Sequence, residues 1–282
     1  MSGSAPRELK TIMAVIDPTV GAQAQVALTR AAGLAAALDA EVIAFCCVFN
    51  PIRVDDADGL REVELERHSA WLGKIIEPHR AQGVKITEHL IWDPHWREAI
   101  GPCASEAGVD LIVKYTRHRD AVRRRLMKTS DWRLLRTAPC PVLLVKDEEA
   151  IKEGRVLAAV NLNASDTAHQ RLNDGIIAMS QFLVKEFPNG ELHAINAYAG
   201  ADHFVHPPDL AKKVGIDRAN AHSVDGPTDE AITECAKLME ADIVVIGTVG
   251  RSGVTGTVLG NTVELVLDRL DTDILTVVDT HD

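Results

Sequence analysis

The chain has 282 residues, of which 46% are hydrophobic and 4% aromatic, with a formal net charge of −11 at pH 7. That length fits two domains at roughly 100–200 residues each, and the apolar content supports ordered cores packed by Ala, Val, Leu and Ile rather than a disordered chain. The acidic field excludes general attraction to nucleic acid or anionic lipid, and no apolar run near the start approaches the ~20 residues of a membrane span. Met1–Lys10 is polar and lacks the apolar segment of a secretory signal, so a cytoplasmic setting is the expectation.

In chain order, the pattern predicts a buried strand at Ile12–Ile16, an Ala- and Leu-rich helix at Gln23–Leu38, and a second strand at Glu41–Phe49. A polar helical or irregular stretch follows, then a third strand ending near Trp92, a helix from about His95, and a fourth strand at Leu111–Val113. A loop, a helix and a fifth strand at Val142–Val145 close the unit. The charged stretch Lys146–Arg155 reads as a linker with few contacts. The same series then recurs. It has strands at Val156–Val160, Glu191–Tyr198, one ending near Val224, Ile243–Ile246 and Ile274–Val278. Its helices lie at Thr167–Lys185, from about Pro227, and at Val263–Leu270. Continuous apolar strands alternating with helices indicate a parallel sheet covered on both faces.

The recurrence is an internal duplication. At an offset of 132, and with no gap, Glu98-Ala99-Ile100 falls on Glu230-Ala231-Ile232 and Cys103-Ala104 on Cys235-Ala236. Asp110, Val113, Thr116 and Arg119 fall on Asp242, Val245, Thr248 and Arg251, and Leu143 and Val145 on Leu275 and Val277. The front ends match more loosely, with Asp17 answering to Asn161. Two domains are expected, at residues 1–147 and 153–282.

The strand Ile243–Ile246 runs into Gly247, Gly250, Arg251 and Gly253, and Gly260-Asn261-Thr262 opens the next helix. Glycines let backbone amides approach an anion, and a helix N-terminus adds unpaired N–H groups and a positive dipole end. Asn261 and Thr262 can add side-chain hydrogen bonds. The alternative is that these glycines serve only tight turns and helix packing. The pattern is neither a P-loop nor the dinucleotide fingerprint that follows a first strand.

Gly247-x-x-Gly250, nine residues, then Gly260 and a small polar residue resembles the ATP-binding motif of the universal stress protein family, and the resemblance covers nearly the whole chain as two tandem domains. It implies an α/β fold of two tandem five-stranded parallel-sheet domains, of the adenine-nucleotide alpha-hydrolase kind, paired as a pseudo-dimer through their fifth strands. It also implies a cytoplasmic stress-response role and binding of ATP or a related adenine nucleotide, with Mg admissible beside it. The implied site residues are Asn161, Gly247, Gly250, Arg251, Gly253, Gly260, Asn261 and Thr262. The family has no agreed common reaction, so a regulatory binder of a small phosphorylated ligand is the first reading. A slow ATP-hydrolysing enzyme and a scaffold that docks a partner through the first half are the alternatives, and a further homodimer is compatible with each.

The first half departs from this motif. At the same offset the glycines become Tyr115, His118, Ala121 and Lys128, inside a run that also carries Arg117, Arg119, Arg123, Arg124 and Arg125. The basic run reads as a solvated face or as an anion contact patch. It lacks the aromatic interleaving of RNA-binding surfaces, and nucleic acid is disfavoured as a partner. The front ends are complementary: Asp17 lacks the glycines, and Asn161 keeps them without the charge that would strengthen a bond to ribose hydroxyls. His203 and His206 read as an exposed loop rather than zinc ligands. Trp92 and Trp96 read as anchors of a strand-to-helix corner or as lining of a crevice. The odd count of five cysteines reads as buried thiols, with Cys46 and Cys47 pointing to opposite faces of a strand.

Overall fold

The computed structural model describes residues 8–21, 25–51, 57–116, 129–146, 151, 153–248 and 260–278. Its strands are β1 (Thr11–Ile16), β2 (Glu41–Val48), β3 (Lys85–Trp92), β4 (Leu111–Tyr115), β5 (Val142–Val145), β6 (Arg155–Ala159), β7 (Glu191–Tyr198), β8 (Ala221–Asp225), β9 (Ile243–Thr248) and β10 (Asp273–Val278). Its helices are α1 (Val26–Leu38), α2 (Ala57–Ala81), α3 (Trp96–Glu106), α4 (Thr129–Thr137), α5 (Thr167–Val184), α6 (Pro207–Val214), α7 (Thr228–Leu238) and α8 (Gly260–Arg269).

All ten strands form one sheet in the order β3-β2-β1-β4-β5-β10-β9-β6-β7-β8. Every neighbouring pair is parallel except β5 and β10, which meet antiparallel with Leu144, Leu143 and Val142 opposite Ile274, Leu275 and Thr276. The apolar fifth strands would each be an open edge if left alone. Instead they close on each other, as the sequence led us to expect, and the order on one side of the junction mirrors that on the other.

The parallel strands are apolar on both faces because helices cover both. One face packs under α1, α2, α5 and α6, and the other under α3, α4, α7 and α8. Each of these cores contains side chains from both sides of the junction, such as Leu143 with Leu275 on one face and Leu144 with Ile274 on the other. A polar lock accompanies the apolar seam. Asp273 at the start of β10 is 2% exposed, accepts from the Lys146 N–H at 2.8 Å, and pairs with the Arg30 guanidinium of α1.

Some elements differ from expectation. The polar stretch after the second strand is a 25-residue helix on one side, α2, and an eight-residue helix with flanking 3-10 turns on the other, α6. Pro227 is the N-cap of α7 rather than its first residue. α8 begins at Gly260, three residues before the expected Val263. The linker's ends are held rather than contact-poor: Lys146 Nζ donates to the Leu270 carbonyl at 2.6 Å and also to that of Leu267, and the Gly154 N–H donates to Asp242 at 2.8 Å.

Candidate functional site

In an open parallel sheet the ligand crevice lies beyond the carboxyl ends of the strands where the strand order reverses. Here those points are β1 beside β4 and β6 beside β9. At the second, the β6–β9 pairing ends at Ala159↔Ile246, with Asn161 two residues past the end of β6 and Thr248 the last residue of β9. The backbone of Asn161 is gripped on both sides by Asn173 of α5. The Asn161 N–H donates to Asn173 Oδ1 at 2.9 Å, and Asn173 Nδ2 donates to the Asn161 carbonyl at 2.7 Å. Asn173 is buried, so this pairing satisfies an amide that would otherwise be costly in a core. Asn161 Oδ1 accepts from the Asn163 N–H at 3.1 Å in an Asx turn. Asn163 in turn donates to the His203 carbonyl at 2.9 Å, folding the chain after β7 toward the crevice.

Gly247 has a packing role. A Cβ there would lie 2.4 Å from Leu172 of α5, so glycine is what lets that helix seat against β9. This realises the packing alternative for one of the motif's glycines. Gly250, Arg251 and Gly253 lie outside the described residues, as do the side chains of Asn261 and Thr262. The backbone of Gly260, Asn261 and Thr262 forms the first turn of α8, whose leading N–H groups have no partner within the helix.

The first reversal point uses the same clamp with different residues. Gln25, just before α1, accepts from the Asp17 N–H at 3.3 Å and donates to the Asp17 carbonyl at 2.8 Å. Asp17 Oδ1 accepts from the Thr19 hydroxyl at 2.6 Å and from its N–H at 2.9 Å. Tyr115 stands where the other half has Gly247. His118, Ala121, Lys128 and the arginines of the basic run lie outside the described residues.

The larger cavity opens on this first half, with a volume of about 770 Å³. The second half has one of about 510 Å³ beside Tyr198, His203 and Thr228. The larger space lies where no glycine motif marked it. Trp96 lines it and carries the Arg97 guanidinium 4.8 Å from its ring centre, whereas Trp92 packs edge-on against Phe49 at 5.6 Å. At the cavity's rim, the Arg67 hydrogen bond holds the Glu64 carboxyl below its usual range. In its floor, Lys114 of β4 is 9% exposed and donates to Asp131 Oδ1 of α4 at 2.5 Å. The Thr116 hydroxyl donates to Asp131 Oδ2 at 3.2 Å. Sequence reasoning missed this pair and both clamps. The signal for the pair was in the 132-residue register, where Lys114 and Asp131 fall on Ile246 and Val263.

The remaining constellations do not build a site. His206 packs edge-on against Phe204 at 4.8 Å, and among the described residues no three His, Cys, Asp or Glu side chains cluster as a metal site. Cys46 and Cys47 face opposite cores, and burial pushes their thiols up to about 12 and about 11, far from nucleophilic at neutral pH. No helix among the described residues is long and apolar enough to cross a membrane.

Comparison with known proteins bears on the whole chain. The sequence model of the universal stress protein family matches residues 8–146 and 183–277. Universal stress protein E of Escherichia coli K12 is 28% identical over 297 aligned positions, covering 95% of this chain and 93% of the relative. Its homolog in Haemophilus influenzae is 29% identical over 237 positions, covering 76% and 75%. Among solved structures, a putative universal stress protein from Pseudomonas aeruginosa superposes with a TM-score of 0.75 at 26% identity, covering 96% of this chain and 94% of that one.

Proposed function

This chain belongs to the universal stress protein family, and on that premise we propose that it is a cytoplasmic stress-response regulator that holds ATP or a related phosphorylated ligand in its second half. The observation that carries this reading is the junction of β6 and β9. Asn161 follows the end of β6 where that strand pairs with β9, and the chain beyond β9 re-enters the described structure at the first turn of α8, at Gly260. Amides of that turn and the helix dipole would face the phosphates, and Asn161 would lie near the base or ribose. Gly250, Arg251, Gly253, Asn261 and Thr262 would complete the cradle.

Binding without dedicated chemistry fits the residues better than hydrolysis. From Gly247 to Thr262 there is no Asp or Glu to hold magnesium or to act as a general base. A magnesium ion there would be held by the phosphates rather than by the loop. The first half replaces Gly247 with Tyr115 and is not a second site of this kind.

The test is native mass spectrometry of the full chain, followed by calorimetry with ATP on the wild type and Gly260→Asp. One nucleotide per chain, lost in Gly260→Asp, is the expected result, because a carboxylate at the start of α8 would meet the phosphates. Two nucleotides per chain, or unchanged affinity in the variant, would overturn the reading.

A further inference from the structure

We infer that the cavity of the first half is a second, chemically different ligand site, built for an uncharged planar molecule that presents a hydrogen-bond acceptor and donor side by side. Ile246 and Val263 occupy one position of the fold in the second half, 5% and 4% exposed in the core beneath α7 and α8. Lys114 and Asp131 occupy the equivalent position in the first. The fold is therefore satisfied by an apolar pair there. Replacing a buried ion pair by apolar residues is often neutral or stabilising, so packing alone does not account for the charges.

The pair sits where a ligand would reach it. The register places Phe45, Val15, Lys114 and Leu144 side by side across β2, β1, β4 and β5, on one face of the sheet. All four line the cavity of about 770 Å³. That volume is in the range of small-molecule sites, which are mainly apolar with a few convergent polar groups. The chain has five Phe, four Trp and two Tyr residues in all, and four of these (Phe45, Phe49, Trp96 and Tyr115) line this one cavity. Such a concentration of rings in an aromatic-poor chain favours a flat guest.

The polar groups set the guest's charge. Among the described residues, four carboxylates and four Lys or Arg side chains line the cavity, with His68 beside Glu64, so this lining carries no strong net charge to draw in an anion. Lys114 is itself neutralised by Asp131, and a dianionic phosphate placed against Lys114 would also face that carboxylate. What the pair offers is one of each function. The Lys114 ammonium has three protons, directed in part to Asp131 Oδ1 at 2.5 Å and the Tyr115 carbonyl at 3.5 Å. Asp131 keeps further lone pairs beyond those engaged by Lys114 and Thr116. A lactam or amide edge accepts from the first and donates to the second, leaving no charge uncompensated.

The test uses calorimetry with three probes of one size: oxindole, which has a lactam edge; N-methyloxindole, which lacks the donor; and indole-2-carboxylate, which is anionic. On the wild type, oxindole should bind at one per chain and at least tenfold more tightly than either of the others. The variant K114I/D131V, which copies the second half's own solution, should bind oxindole at least tenfold more weakly and no longer distinguish it from N-methyloxindole. Failure of oxindole to bind, equal binding by wild type and variant, or tightest binding of the carboxylate would overturn the inference. The probe comparison on the wild type needs no variant, so the test stands even if K114I/D131V does not fold. Nucleotide stoichiometry is read separately, so failure here leaves the second-half reading intact.

Discussion

Leu143 and Leu275 are the central pair of the antiparallel junction, 1% and 0% exposed and directly opposite each other. Truncating either to Ala removes buried methyl groups from a position where both flanking backbones are held in a continuous sheet, so the gap can collapse only partly. Leu→Ala changes of this kind cost about 2–5 kcal/mol, and the rigid surroundings place each single variant in the upper half of that range. The two side chains face the same gap, so their mutual contact is lost once rather than twice. The double variant should therefore fall short of the sum of the singles by about 0.5–3 kcal/mol. Against a typical stability of about 5–15 kcal/mol, the double variant would be marginal.

The assay is urea unfolding followed by far-ultraviolet circular dichroism and tryptophan fluorescence. Each core crosses the junction, so both probes should report one transition that shifts as a whole in every variant. Two transitions, of which a variant moves only one, would refute the reasoning, as would strict additivity. Either result would mean that the halves fold separately and merely touch.

Gly247→Ala would push a methyl group into Leu172, at 2.4 Å, and should lower stability by about 1–3 kcal/mol. Thermal unfolding of Gly247→Ala in a Leu172→Ala background should show a smaller loss, because the obstructing side chain is gone; the same loss in both backgrounds would disprove the contact. His222, stacked on His193 with ring nitrogens 3.3 Å apart, should make stability pH-dependent. Burial first, and the neighbouring His193 second, lower the His222 pKa, so below the ordinary value of about 6.5 the unfolded chain takes up the proton more readily than the folded one. Stability from this group is complete above that value and is lost as pH falls through the folded pKa. His222→Gln should flatten the urea midpoint between about pH 7 and pH 5, and an unchanged slope would exclude His222 as its source.

The inner strands were readable because they are largely apolar on both faces, a pattern that needs no tertiary information, whereas the more polar edge strands β3 and β8 were legible only at their ends. The 132-residue register was equally robust: α3 and α7 start and end 132 residues apart, as do the starts of β4 and β9. Their matched Ala-Ile and Cys-Ala positions line the same core, and the matched glutamates face outward. What escaped was decided by polar residues and by space. Gly260-Asn261-Thr262 marks the opening of α8, and only the inclusion of these three residues in the helix itself escaped, because Gly, Asn and Thr are weak helix formers. The clamps of Gln25 and Asn173 look like ordinary polar residues until the strand end they grip is in place. Of the large first-half cavity only Trp96 was legible, as crevice lining, since the loss of glycines describes a loop and not the volume beneath it.

The two clamps show what the fold demands and what it leaves open. Gln25 and Asn173 differ in length and in helix position, yet each makes the same two bonds to a residue just beyond its half's first strand. The backbone at Asp17 and Asn161 is thus fixed in both halves by the architecture, independently of any guest. The residues around that point differ in matched sets: Tyr115 with Lys114 and Asp131 on one side, Gly247 with Ile246 and Val263 on the other. These positions lie toward the carboxyl ends of the strands, and the junction that joins the halves runs through β5 and β10. Exchanging charges for methyl groups in a crevice therefore leaves the Leu143–Leu275 seam untouched. A duplicated chain built this way can keep one seam for stability and assign each crevice its own chemistry. The coupling to test is then between ligand and stability within a half, because the second half's crevice is walled by Leu172 against Gly247 and cannot take Tyr115's role without moving α5.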